Sequence, residues 1–151
     1  MEAGRGRQAV NPQTDVIAAV IEVLRETESG DATEVERKTD GRVFGGLVPL
    51  EEQGELPGPT VRVNYAGGPS MGGYAPLQRP RVDIAFYGRT FYEADELRRI
   101  AHPLLKDLQR RTAAGVLIHG IQNNGGYSQG REQGTNWPYI FTSWDVLASE
   151  I

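Results

Sequence analysis

Arg81-Val82-Asp83-Ile84-Ala85-Phe86-Tyr87-Gly88, with the stretch from Thr90 to Leu108 behind it, is the part of this chain whose reading decides the fold. Val82, Ile84 and Phe86 fall at alternate positions, the period of a strand with one buried side, and Gly88 ends it. The period then changes. Thr90 and Glu93 make a capping-box pair, hydroxyl and carboxylate each satisfying a backbone N–H that the first helical turn leaves without a partner. Leu97, Ile100, Ala101, Leu104, Leu105 and Leu108 recur along one face of the helix that follows.

Working outward from this unit, Thr60 to Tyr65 alternates as well, with Val61, Val63 and Tyr65 on one side, and predicts a second half-buried strand. Ala66 to Pro80 between them holds Gly67, Gly68, Gly72 and Gly73 and reads as a long loop. Farther upstream, Val16, Ala19, Val20, Val23 and Leu24 share one face of an amphipathic helix over Pro12 to Arg25, with Asn11 as N-cap and Pro12 at the first helical position. Glu26 to Lys38 is polar and without period until the turn at Asp40-Gly41. Val43 and Phe44, then Leu47 and Val48, predict a short strand or two, and Glu51 to Pro59 an exposed acidic loop. Downstream, Val116 to Ile121 and Tyr139 to Leu147 read as a strand pair. Their connection, Gln122 to Pro138, is rich in Gly, Asn and Gln and longer than a hairpin needs. The order predicts an α+β domain, an antiparallel or mixed β-sheet with two α-helices packed on one face.

The 151 residues suit a single domain over 1–151, with residues 1–10 a flexible N-terminal segment. With no Cys and two His, disulfides, thiolate nucleophiles and conventional transition-metal sites are excluded or hard to build. Met1 to Val10 lacks the apolar core of a signal peptide, and the longest apolar run, Val16 to Ile21, is too short to span a bilayer, so a cytoplasmic protein is expected. A net charge of −4 argues against broad binding to nucleic acid phosphates.

Catalytic motifs are missing. Gly67 and Gly72 have phosphate-loop spacing, but Gly73 and Tyr74 stand where Lys and Ser/Thr are required. Neither His102 nor His119 has a partner at ligand or general-base spacing, and Ser70, Ser128 and Ser143 lack the surroundings of a nucleophile. The reading is of a non-enzyme without cofactor or metal. Acidic residues early in the second helix (Glu93, Asp95, Glu96) and basic ones late (Lys106, Arg110, Arg111) follow the helix dipole. Trp137, Tyr139 and Trp144 cluster beside the Gly-rich connection, core packing being the default reading and an interface anchor the sharper one. Tyr127, Arg131, Glu132 and Trp137 are the candidate residues for an interface with other subunits or partners, offering aromatic area and charged hydrogen bonds on a segment free to mould itself.

The pattern from Val61-Arg62-Val63-Asn64-Tyr65, through Arg81 to Gly88 and Thr90 to Leu108, to the last strand pair resembles the tail terminators and related minor capsid or tail-completion proteins of tailed bacteriophages. In that family a strand of the type R-x-D-I-x-x-Y-G leads into a helix that opens on small and acidic residues and turns its leucines to the sheet. The resemblance implies a virion structural protein whose copies form a ring, hexameric, that caps the tail tube and joins it to the head connector. It implies no cofactor. The implied partners are further copies, the tail tube protein and the connector or neck protein, with DNA only as cargo passing through the lumen and no membrane. The implied location is the tail or neck of the virion, with host cytoplasm during assembly. A head–tail neck adaptor or stopper is the alternative within this class. Outside it stand a monomeric adaptor and a small-molecule-binding or enzyme subunit.

Overall fold

The computed structural model describes residues 15–46, 58–66, 77–106 and 108–150. Among the described residues there are three helices, α1 (Val16–Arg25), α2 (Glu34–Thr39) and α3 (Phe91–Lys106). The strands are β1 (Val43–Gly45), β2 (Thr60–Tyr65), β3 (Leu77–Gln78), β4 (Arg81–Tyr87), β5 (Gln109–Ala113), β6 (Val116–Arg131) and β7 (Pro138–Glu150). They form one sheet in the order β1-β2-β4-β7-β6-β5, with the two residues of β3 pairing β7 off that path. Every pairing is antiparallel except β1 with β2.

This corrects the expected architecture of two α-helices packed on one face. The sheet is a curled half-barrel, strand outweighs helix, and there are three helices, of which α1 and α3 meet the sheet while α2 rests on the other two. The long strands are the physical reason. β6 and β7 twist as they pair, and a sheet with that much twist curls around the helices instead of staying open.

The central unit is as the sequence predicts. β4 spans Arg81–Tyr87 and sets Val82, Ile84 and Phe86 into the core. Thr90 Oγ1 accepts from the Glu93 N–H at 3.1 Å and Glu93 Oε1 accepts from the Arg89 N–H at 2.7 Å, so both halves of the box form, one residue farther out on the carboxylate side. Ala94, Leu97, Ala101 and Leu105 are the fully buried residues of α3, whereas Ile100, Leu104 and Leu108 pack only partly. The exposed Pro103 lies inside this helix, near its end. In β2 Val61 and Val63 are buried, but Tyr65 is exposed and its hydroxyl accepts from the Val16 N–H.

Other boundaries move. α1 starts at Val16 with Asp15 as its cap, the carboxylate accepting from the Ala18 N–H at 3.0 Å, while Asn11 and Pro12 lie outside the described residues. So do Leu47, Val48, Gly67 to Tyr74 and most of Glu51 to Pro59. Gly58, at the end of that last stretch, is buried beside Arg42. α2 arises in the segment read as aperiodic. Thr33 caps it by accepting from the Glu36 N–H and donates its hydroxyl to Leu24 O, and Asp40, with φ 52°, ends it in the left-handed region. β5 is a further strand that periodicity did not predict. It takes Arg110 and Arg111 off the helix end, leaving Lys106 alone in the last turn of α3.

The largest difference is the connection Gln122 to Pro138. Its first ten residues continue β6, from Gln122 opposite Asp145 to Arg131 opposite Pro138. A bulge falls between Asn123, opposite Trp144, and Tyr127, opposite Thr142. Gly125 and Gly126 sit in it at φ 97° and 88°, where an L side chain is strained, and Asn123 Oδ1 accepts from the Gly126 N–H. The glycines serve a bulge within a strand. Only the turn 132–137 remains as a loop.

Candidate assembly surface

Two faces of β4 are covered. The inner face meets the helices; the outer face holds a second, smaller cluster of Ala85, Tyr87 and Trp137, flanked by Phe44 and Tyr139. The turn after β6 folds back over this outer face, which is how Glu132 and Trp137 come to lie against β4. Tyr87 sits edge-on to Trp137, with centroids 6.0 Å apart, and beside Tyr139 at 5.7 Å. Gly130 faces Tyr139 across the ladder, and a Cβ there would stand 2.8 Å from the Tyr139 hydroxyl oxygen, so this glycine makes room for the ring.

A charged network closes the cluster. The Tyr87 hydroxyl donates to Glu132 Oε2 at 3.3 Å, and Arg62 Nη1 pairs with Glu132 Oε1 at 3.3 Å while its guanidinium lies 5.7 Å from the Tyr87 centroid. Burial pushes the Tyr87 hydroxyl well above the ordinary phenol range; Arg62 opposes the shift and Glu132 adds to it. Arg62 Nε is buried without a hydrogen-bond partner. Beside the network runs an open groove of about 350 Å³ lined by Arg62, Asn64, Tyr65, Asp83, Ala85 and Phe141.

Glu132 and Trp137 are thus committed within their own subunit, and Trp137 is only 6% exposed. Tyr127 and Arg131 lie elsewhere, Tyr127 over the middle of α3 and Arg131 over its start. Tyr127 is 62% exposed with the Arg98 guanidinium 4.0 Å above its ring, and Arg131 stacks on Phe91 at 5.0 Å while donating to Asn136 O. Tyr92, on the same helix, is 71% exposed, with Arg99 5.9 Å from its ring. The sequence reading missed Tyr92, Arg98 and Arg99. Their signal is the aromatic at Tyr92 followed about two turns on by a pair of arginines. The four residues picked from the sequence therefore divide into an internal brace and an exposed aromatic–arginine patch.

Chemistry of the catalytic kind finds little to build on. Ser143 Oγ donates to Asp83 Oδ1 at 2.6 Å without a histidine beside it. His119 Nε2 bonds Ser149 Oγ at 2.9 Å, and His102 packs on Trp144 with centroids 5.5 Å apart. Among the described residues no three of His, Asp or Glu gather where a metal ion could be shared, and no helix is long and apolar enough to cross a membrane.

No protein-family model matches the chain, and no curated protein does. Among solved structures it resembles a chain of one described as "Virion of native gene transfer agent (GTA) particle", with a TM-score of 0.55, 15% identity, and coverage of 89% of this chain and 94% of that one. The fold occurs in a virion. At that identity the likeness concerns the fold and not the individual residues. A second solved chain, at 12% identity and a TM-score of 0.40 over 74% of this chain and 84% of that one, is too distant to carry an argument.

Proposed function

We propose that this chain is a structural protein of a phage-like virion, and that its place there is the tail or neck, where copies close into a hexameric ring that ends the tail tube and meets the head connector. The observation that carries this reading is the shared fold with a chain of a gene transfer agent virion, which extends over nearly the whole of both chains. The side-chain chemistry agrees with it. The polar groups of the outer face, Arg62, Tyr87 and Glu132, bond to one another and brace the fold, which suits a subunit bearing contacts from neighbours. The exposed patch of Tyr127 and Arg131 supplies residue types that dominate binding hot spots.

Native mass spectrometry with negative-stain imaging tests the proposal. Six-fold rings that halt polymerisation of a tail tube protein are the expected result, and a chain that stays monomeric with tube and connector proteins present overturns it. Rings that bind the connector yet leave tube growth unchanged would select the neck adaptor or stopper instead.

A further inference from the structure

The two ends of α3 carry surfaces of opposite character. Near its start, Tyr92 is the most exposed large aromatic among the described residues, and in its middle Arg98 and Arg99 share the carboxylate of Asp95, at 2.8 and 3.1 Å. Arg131 adds a third guanidinium that forms no ion pair there, and the Glu93 carboxylate is turned to the Arg89 N–H. Glu96, one turn on from Tyr92, is paired with Lys38 at 3.9 Å, and the cation beside the exposed Tyr92 ring is Arg99.

At its far end, Leu104 and Leu108 are only partly buried and, with Val23 and Pro103, floor a groove of about 250 Å³. Glu26 and Glu28 line it and are exposed, and neither enters an ion pair among the described residues. Arg111 lies buried beneath, its Nη2 donating to Glu26 O and its Nε without a partner. Tyr92 and Leu104 lie about 18 Å apart along the helix axis.

We propose that the occupant of this groove is a second copy of the same chain, Tyr92 of one copy resting on Leu104 and Leu108 of the next while Arg99 faces Glu26 and Glu28. This names the subunit contact of the ring under Proposed function and rests on that reading. The patch and the groove differ, so the contact is heterologous: each copy offers its knob to one neighbour and its groove to the other, the arrangement that a ring requires and that does not end at a dimer. Ring and arginine together match a groove that is apolar at its floor and acidic at its rim, and burying an aromatic there removes 150–250 Å² or so from water.

Charge reversal tests it on the full chain by native mass spectrometry. Arg99→Glu alone, and Glu26→Arg with Glu28→Arg, are each expected to weaken ring formation by about tenfold or more, because like charges then face each other. A chain carrying all three changes is expected to form rings again. Tyr92→Ser should weaken assembly without restoring it in any combination. All these positions are exposed, so unfolding midpoints should match the parent, and should a reversed chain unfold, Arg99→Gln and Glu28→Gln make the same comparison. Rings from Arg99→Glu as abundant as from the parent overturn this contact and leave the ring standing. A parent chain that forms no ring overturns both.

Discussion

Tyr87 shows how one side chain can tie the outer face together. Its ring fills the space between Trp137 and Tyr139, and its hydroxyl reaches Glu132, so Tyr87→Phe keeps the packing and loses the bond. A hydrogen bond to a carboxylate is worth about 1 to 3 kcal/mol, and urea unfolding at neutral pH should register a loss of that order. The pH dependence has a definite sign. Burial raises the folded hydroxyl above its unfolded value of about 10, so the folded state keeps a proton that the unfolded state gives up. Stability from this group is present below pH ~10 and is lost as pH rises beyond it. Tyr87→Phe should flatten that alkaline decline. Gly130→Ala acts on the neighbouring ring, that of Tyr139. The added methyl has no space beside the Tyr139 hydroxyl, so a cost of about 1 to 3 kcal/mol and a changed near-ultraviolet circular dichroism are expected.

Among the elements, α3 depends on Leu105 more than on Leu104. Leu105 is fully buried, whereas Leu104 opens onto the groove beside Pro103. Leu105→Ala should cost about 2 to 5 kcal/mol in denaturant unfolding, with Leu104→Ala costing clearly less. α1 and α2 are joined by Arg25 and Glu36, 2.7 Å apart. The hydrogen bond from Arg25, and then its charge, hold the Glu36 carboxyl below its ordinary value against the opposing effect of burial. A carboxyl shifted in this direction stabilises the fold above its unfolded pKa of about 4.3, and that contribution disappears as pH falls through the lower folded value. Glu36→Gln should therefore be less stable than the parent at neutral pH and converge with it in acid, as thermal unfolding across that range would show. The helix α2 itself was legible in Thr33 and Glu36, a capping-box spacing, but lacks the apolar period that normally announces a helix. Six residues with Val35 as the one buried apolar side chain are too few for a period to appear.

At the scale of the molecule, the hairpin of β6 and β7 decides both shape and surface. Had Gln122 to Pro138 been a loose loop, replacing Gly125 to Gly134 with a tight turn would leave the subunit's stability unchanged. Here it removes the ladder from Tyr127 to Arg131 along with Glu132, and so uncovers Tyr87 and Trp137. A lower unfolding midpoint of the free subunit is the expected outcome, and an unchanged one would show that the outer cluster contributes nothing. What the sequence alone determined is the set of segments whose period was strong enough to stand without help: Val61 and Val63 but not Tyr65 of Thr60–Tyr65, the inward faces of Arg81–Tyr87 and Tyr139–Leu147, the face of α1, and the capped helix α3. These rest on local rules, strand alternation, helical spacing and end caps, and each can be read from neighbouring residues. Tertiary structure decided the rest. Gln122 to Arg131 is strand because β7 offers it a partner, not because Gly, Asn and Gln prefer that state, and strand preference is set by such context. Glu132 and Trp137 turned inward for the same reason, since which side chains stay exposed depends on the curl of a sheet whose pairing partners lie far apart in the chain, as Arg62 and Glu132 do.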